Sequence, residues 1–273
     1  MAITKEIWLN HIVEQLFPDN SFMAKSFNAD GFVTAGKVVH IPNAAAQPEV
    51  AKGPLGKPVT AKALTDTDVD FVIEELYVKP IYMENADKYE LSYDKRDSVL
   101  SRSKNALDEA LAKLMLAKWL PTQANRIVKV KALTRKAVRA LQLRMNKENI
   151  PQAERYLLLD ADMYDALLGD LTEAQSNAFL ASADAAKGVL GNLYGFNIMM
   201  RSEVKDASDN PCALAWHKDY VCRAAGEHEL FAKDNDPEYY GDVLSAMVRA
   251  GGAPMRKNSI GVLKVVINTT AGA

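Results

Sequence analysis

The segment from Asn43 to Thr65 limits the architecture more than any other part of this sequence, because it has almost nothing with which to build a core. It is poor in large apolar side chains and rich in Ala, Pro, Gly and Lys, and Gly53-Pro54-Leu55-Gly56-Lys57-Pro58 sets a turn near its middle. A loop of this length inside a compact domain is unusual unless it binds something or is disordered. Strand-like sequence lies on both sides. Upstream, Lys37-Val38-Val39-His40-Ile41 reads as a short strand stopped by Pro42. Downstream, Val69, Phe71, Ile73 and Tyr77 alternate with Asp68, Asp70 and Glu74, the period-two pattern of a strand with one apolar face. Together these pieces predict a long ribbon that projects from the body of the protein.

The rest of the chain is able to fold. At 273 residues, 48% apolar and 25% charged, it can bury a sizeable core, which excludes wholesale disorder. No run reaches the roughly 18 consecutive apolar residues of a membrane span, and Lys5, Glu6 and Glu14 interrupt the N-terminus where a signal peptide needs an apolar stretch. The protein is therefore expected to stay in the compartment where it is made. Cys212 and Cys222 fit neither a disulfide framework nor a zinc spacing and read as reduced core residues.

Helical periodicity is clearest from Asp97 to Leu120, where Leu100, Ser103, Leu107, Ala110, Leu111 and Leu114 form one stripe and Pro121 forces the stop. At 1.5 Å per residue this helix is roughly 35 Å long, the natural spine of the fold. A shorter helix is expected over Thr4 to Phe17, and another over Thr134 to Asn146 on Val138, Leu141 and Met145. The second half mixes short strands and helices without a βαβ rhythm: a buried strand over Arg155 to Leu159, a helix over Ala161 to Leu168, a strand from Phe196 to Met200 entered through Gly195, and a last strand over Ile260 to Ile267.

The formal net charge is −2, so the chain as a whole has no electrostatic reason to coat nucleic acid. From Pro121 to Lys147, however, there are eight basic residues (Arg126, Lys129, Lys131, Arg135, Lys136, Arg139, Arg144, Lys147) and no acidic one. Such a block is a solvated face, a phosphate-binding surface or half of a subunit contact.

Catalytic and metal motifs fail on inspection. Asp66, Asp68 and Asp70 would share one strand face, where three carboxylates can hold a cation, but an acidic solvent face explains the same residues. His228-Glu229 begins a zinc-protease motif, yet Ala232 stands where the second His must be. Asp234, Asp236 and Glu238 open like a calcium loop, but Tyr239 and Ser245 occupy the positions that need Gly and Glu. Gly188, Gly191 and Gly195 lack the spacing of a dinucleotide fingerprint and read as tight turns into a strand. No metal, cofactor or catalytic residue is expected.

The order of segments resembles the major capsid proteins of tailed bacteriophages, the Hong Kong 97-type fold, an α+β architecture. In that family an N-terminal arm leads to a strand and an extended loop, then to a spine helix and a mixed α/β axial domain. The matching pieces are the arm before Gly36, Gly36 to Pro42, the Ala/Pro/Lys ribbon, and the helix from Asp97 to Leu120. More specific are Asn149-Ile150-Pro151-Gln152-Ala153-Glu154-Arg155-Tyr156-Leu157-Leu158-Leu159-Asp160 followed by Met163 to Leu168, and then Gly188, Gly191, Gly195-Phe196 and Arg201-Ser202-Glu203-Val204. Ser259-Ile260-Gly261-Val262-Leu263 completes the likeness, which covers nearly the whole chain.

The resemblance implies residues 1–42 as arm and first strand, 43–86 as extended loop, 87–121 as spine helix and peripheral domain, 122–240 as axial domain and 241–273 as closing strands. It implies a virion protein, made in the bacterial host cytoplasm, that assembles as hexamers and pentamers into an icosahedral shell around double-stranded DNA held without sequence specificity. A cementing or decoration protein is a further expected partner, and no membrane is. Some relatives carry a long N-terminal scaffolding segment; here the arm begins almost at Met1, so scaffolding is expected from a separate protein or is dispensable. Candidate subunit-contact residues are Gly53, Pro54, Lys57, Asp66, Asp68 and Asp70 on the ribbon and Arg135, Lys136 and Arg139 in the basic block. Lys52, Lys57 and Lys62 stand where a relative that crosslinks its subunits would place its lysine. Two other readings remain, an encapsulin-like compartment around a cargo enzyme and a soluble α/β enzyme with an unrecognised site.

Overall fold

The computed structural model describes residues 19–32, 38–43, 67–84, 95–238 and 240–267. The expected helix from Thr4 to Phe17, residues 44–66 and the C-terminal tail lie outside the described residues. In chain order the elements are β1 (Phe27–Asn28), β2 (Val38–Asn43), β3 (Thr67–Val72), β4 (Glu74–Tyr77), β5 (Ile81–Glu84), α1 (Lys95–Trp119), β6 (Ile127–Val130) and α2 (Arg135–Lys147). They continue with β7 (Arg155–Asp160), α3 (Ala161–Asp170), α4 (Glu173–Ala181), β8 (Gly191–Leu193), β9 (Phe196–Arg201), β10 (Cys212–His217), β11 (Val221–Ala225), β12 (Glu229–Asp236), β13 (Gly241–Pro254) and β14 (Val262–Ile267).

One six-stranded sheet runs in the order β6-β14-β10-β7-β9-β8. Every residue of β7 and β10 is buried, which requires cover on both faces. On one face α2, α3 and α4 bring Val138, Leu141, Met145, Met163, Leu167 and Phe179 against Leu157, Leu159, Ile198, Ala213, Ala215 and Val265. On the other, the C-terminal half of α1 brings Met115, Leu116 and Trp119 against Tyr156, Leu158, Met199, Leu214 and Trp216. Strands β7 and β9 are parallel, and α3 and α4 cross between them, as α2 crosses between β6 and β7. The expectation of no βαβ rhythm is therefore corrected. Helix α3 begins with no linker after Asp160 and the β8 hairpin strand precedes β9, so the period is hidden in the sequence.

The second sheet is organised by β13, fourteen residues long. Strands β11 and β12 pair along one side of it, β4 and β5 along the other, and β1 adds in parallel to β11. Alternate residues Leu244, Ala246, Val248 and Ala250 are buried, and Leu107 of α1 packs on Ala246 and Val248. At Gly252 the backbones come too close for a side chain: a Cβ there would lie 2.7 Å from the Cys222 carbonyl oxygen and 2.9 Å from Met115 Sδ.

Helix α1 carries both sheets. Trp119 packs edge-on against Phe22 and beside Trp216, while its indole N–H donates to the Cys222 carbonyl of the second sheet at 2.9 Å. The stripe expected from sequence holds at Ser103, Leu107 and Leu111, but it continues through Ala112, Met115, Leu116 and Trp119, and Leu100, Ala110 and Leu114 are only half-buried.

Three smaller expectations change. Strand β2 runs on through Pro42 to Asn43, because among the described residues it pairs only with β3, and the missing N–H of a proline is tolerated on an open edge. Tyr77 is 70% exposed: the chain breaks step at Ile73 between β3 and β4, so Phe71 and Ile73 face inward but Leu76 takes the inner place in β4. The last strand starts at Val262, after a turn in which Gly261 has φ +85° and no room for a Cβ against the Tyr220 ring.

Candidate assembly surface

The second sheet has a covered face and an open one. Across the open face, Tyr82 stands opposite Val243, Phe231 opposite Ser245 and Tyr77 opposite Met247, so aromatic side chains flank the half-buried odd-numbered residues of β13. Tyr77, Tyr82 and Phe231 are all exposed. The Ser245 hydroxyl donates to the Val78 carbonyl at 2.7 Å and holds the β4–β5 link in place, and Arg249 lies 3.7 Å from Glu75 at the end of the row.

Strand β12 extends this surface to an edge. Its residues Glu229 to Asp234 are exposed on both faces, and among the described residues it pairs only with β13. Such a strand offers a row of backbone donors and acceptors to another chain.

Strands β2 and β3, which flank residues 44–66 in sequence, pair antiparallel in the register Val38↔Val72 through Asn43↔Thr67. Asp68 and Asp70 are exposed there, and His40 Nδ1 lies 3.1 Å from Asp68 Oδ2, a neighbour that linear spacing did not reveal. Gly53, Pro54, Lys57 and Asp66 lie outside the described residues, as do Lys52 and Lys62. Among the described residues no group of three His, Cys, Asp or Glu side chains is arranged to hold a metal.

The basic block divides into two kinds of residue. Arg126 is buried against Glu148, and Arg144 donates to the Asn125 carbonyl. Arg135 joins three helices: its backbone N–H and Nε donate to Asp170 Oδ2 at 2.8 and 3.2 Å, and its Nη1 donates to Gln175 Oε1 at 2.6 Å. Asp170 thus supplies the cap that Thr134 does not, and the Arg135 backbone N–H holds the Asp170 carboxyl below the ordinary carboxylate range. Lys129, Lys131, Lys136, Arg139 and Lys147 remain exposed. Of the three basic candidates, Lys136 and Arg139 face solvent and Arg135 is engaged within the subunit.

The other candidates are structural. Burial pushes the Cys212 thiol up to about 12 and the Cys222 thiol up to about 11, so neither is a nucleophile. Burial likewise lowers the pKa of His217, whose Nδ1 accepts the Asp219 N–H at 3.1 Å. Tyr194 and Gly195 both have positive φ, 51° and 78°, and form the two-residue turn of the β8–β9 hairpin. A cleft of about 310 Å³ beside Arg201 is lined by charges that answer one another: Arg201 with Glu109, Lys205 with Glu203 and Asp209, and Asp206 with Lys264. Sequence reasoning missed this network because two of its pairs, Arg201 with Glu109 and Asp206 with Lys264, join residues far apart in the chain. Among the described residues no helix is long and apolar enough to cross a membrane.

No protein-family model and no curated protein matches the chain. Solved structures do, over nearly its whole length. A structure of the Helicobacter pylori bacteriophage KHP40 head is similar at a TM-score of 0.75 and 10% identity, covering 98% of this chain and 95% of that one. A structure from Mycobacterium phage Che8 is similar at 0.74 and 20% identity, with 98% of each chain covered. The capsid of the cyanophage P-SCSP1u follows at 0.71 and 14% identity, covering 96% and 92%. The chain therefore has the Hong Kong 97-type capsid fold, as its segment order implied.

Proposed function

We propose that this protein is the major capsid protein of a tailed bacteriophage, a non-enzymatic subunit that assembles with copies of itself into the icosahedral shell around double-stranded DNA. The observation that carries the reading is end-to-end likeness to phage capsid and head structures in a chain that leaves aromatic side chains exposed on one sheet face and, among the described residues, a strand edge open. Multiplied over a shell, many modest contacts of this kind suffice for a stable particle. In this reading the protein resides in the virion, having been made in the host cytoplasm, and forms hexamers and pentamers with help from a separate scaffolding protein. A decoration protein adds to the outside, and DNA is held inside without sequence recognition. Lys136 and Arg139 meet acidic residues of a neighbouring subunit, Asp66, Asp68 and Asp70 among them, because packaged DNA must leave freely and a gripping inner wall would oppose it.

Negative-stain microscopy of the expressed chain, alone and with the scaffolding protein of the same phage, tests the proposal. Closed shells, tubes or sheets are the expected result. Sedimentation as monomer at every salt concentration and with scaffold present would overturn it. A particle from the native source that encloses a cargo protein instead of DNA would move the chain to the encapsulin-like reading.

A further inference from the structure

Between β10 and β11 the chain passes directly from the first sheet to the second. Strand β10, which lies between β14 and β7, ends at His217, and β11, which lies between β1 and β13, begins at Val221. Lys218–Tyr220 form a single 3-10 turn at this corner, and His217 caps it, its Nδ1 accepting the Asp219 N–H at 3.1 Å. Tyr220, at the end of the turn, reaches back to both sheets. Its carbonyl accepts the Met255 N–H at 2.8 Å just beyond β13, and its ring lies against Gly261, which leads into β14. The His217 ring stands edge-on to the Tyr220 ring, with the centroids 5.2 Å apart.

The surroundings of His217 favour a ring without charge. It is 3% exposed and lies directly opposite Arg155 of β7, itself 1% exposed. Carbonyls hold the Arg155 guanidinium, that of Pro151 at 2.7 Å and that of Ile150 at 2.6 Å. The other charged groups around the corner are Asp219 and Lys218 on the turn, Glu154 beside β7, and Arg256, which lies over the Tyr220 ring. On the β14 side the His217 backbone N–H meets the Gly261 carbonyl at 3.2 Å. Burial is the largest influence and lowers the pKa of the ring; Asp219, Glu154 and a hydrogen bond to the Ala153 backbone favour the charged form, and Arg155 opposes it. The balance falls on the neutral side because Glu154 is already paired with Lys218 at 2.9 Å and Asp219 is exposed, where water screens its charge.

A ring nitrogen accepts a hydrogen bond only while it carries no proton. Protonation turns Nδ1 into a donor aimed at the Asp219 N–H and sets a second buried cation opposite Arg155. We propose that His217 is a proton-operated latch on the corner between the two sheets: neutral, it closes the turn that positions Tyr220, and protonated, it releases that turn. The sign follows from the direction of the shift. A histidine whose folded pKa is lowered leaves stability complete above its unfolded value of about 6.5, and stability falls as pH drops from there to the lower folded value.

Titration of the full-length chain tests the latch, whether or not the chain is assembled, so a failure of the shell reading leaves this test intact. Deuterium exchange at the ring carbon of each histidine, read by mass spectrometry, gives the midpoint of His217. A midpoint below about 6.5 is expected, and one at or above that value would overturn the proposal. Release of the corner is read from amide exchange over residues 218–225, corrected for the ordinary dependence of exchange on pH. Between pH 7 and pH 5 the parent is expected to lose protection by up to about tenfold per pH unit, the factor for one proton taken up on opening. His217→Asn supplies an oxygen that accepts the Asp219 N–H and does not titrate, and its protection is expected to stay level over the same range. Parent and variant that lose protection in parallel would assign the change to other groups and sink the latch. Should His217→Asn not fold, the parent decides alone: protection that falls around the measured His217 midpoint supports the proposal, and protection that holds level down to pH 5 overturns it.

Discussion

Arg201, at the end of β9, forms an ion pair with Glu109 on the spine helix α1, and the Arg201 side chain is only 2% exposed. The same guanidinium donates to the Glu203 carbonyl and reaches Asn20 Oδ1 at 3.4 Å, so the first sheet, the helix and the segment before β1 meet at one residue. Removing one partner of a buried pair leaves the other charge uncompensated. Glu109→Ala is expected to lower unfolding stability by about 3 kcal/mol, Glu109 itself being partly exposed. Chemical denaturation of the unassembled subunit measures it, and a loss below about 1 kcal/mol would show that solvent already screens the pair.

Gly252 lies where β13 passes the Cys222 carbonyl, Met115 and Trp119. Gly252→Ala forces β11 or the helix to move, and overpacking of this kind costs about 1–3 kcal/mol. The variant is expected to melt lower than the parent, with the loss visible in tryptophan fluorescence because Trp119 is displaced. Gly169→Ala, in α3 where a Cβ meets nothing within 4 Å, is the control without overpacking and is expected to melt at or slightly above the parent.

Asp206 links the β9–β10 connection to β14 through Lys264 at 2.6 Å. Burial alone would raise its carboxyl, but the Lys264 ammonium and the backbone N–H groups of Asn210 and Ser208 outweigh burial and hold it below the ordinary range. A carboxyl with a depressed folded pKa contributes stability that is complete above its unfolded value of about 3.9 and is lost as pH falls through the lower folded value. Asp206→Asn is therefore expected to melt below the parent at neutral pH and to converge with it in strong acid. Parallel melting curves with a constant gap down to about pH 2 would contradict this assignment.

Reversing Lys136 and Arg139 to Glu, with Arg135 kept because Asp170 and Gln175 need it, is expected to leave the subunit folded and to lower particle yield. Added salt should shrink the difference from the parent, since exposed charge contacts are screened over about 10 Å at 0.1 M. Particles that form in normal amounts but package DNA poorly would transfer the basic face to the DNA.

Deleting Gly53 to Pro58 is expected to leave the melting temperature of the subunit unchanged and to weaken assembly, because the sequence from Asn43 to Thr65 is poor in the large apolar side chains that build a core. Loss of cooperative unfolding in the deletion variant would place the segment in a core.

The parts of the fold legible in the sequence are those whose burial is decided locally. The α1 stripe at Ser103, Leu107 and Leu111 and the buried run from Arg155 to Leu159 follow from period and composition, and the structure keeps them. Tyr77 was misread because alternation assumes an unbroken strand, and the break at Ile73 is fixed by pairing with β13, some 170 residues downstream. The division of the basic block was also hidden: nothing near Arg135 in sequence announces Asp170, whereas Lys136 and Arg139 are solvent-facing by helical period alone.

The position of β13 also sets a timetable for synthesis. Strands β4 and β5 end at Glu84, yet the strand that both pair with begins at Gly241. At about 5–20 residues per second the ribosome takes roughly 8 to 30 s to reach it, and during that interval those edges have no partner within their own sheet. The second sheet is therefore completed only after β13 has been synthesised. Before that point a nascent chain cannot display the surface built on β13, so subunits are unable to associate through it.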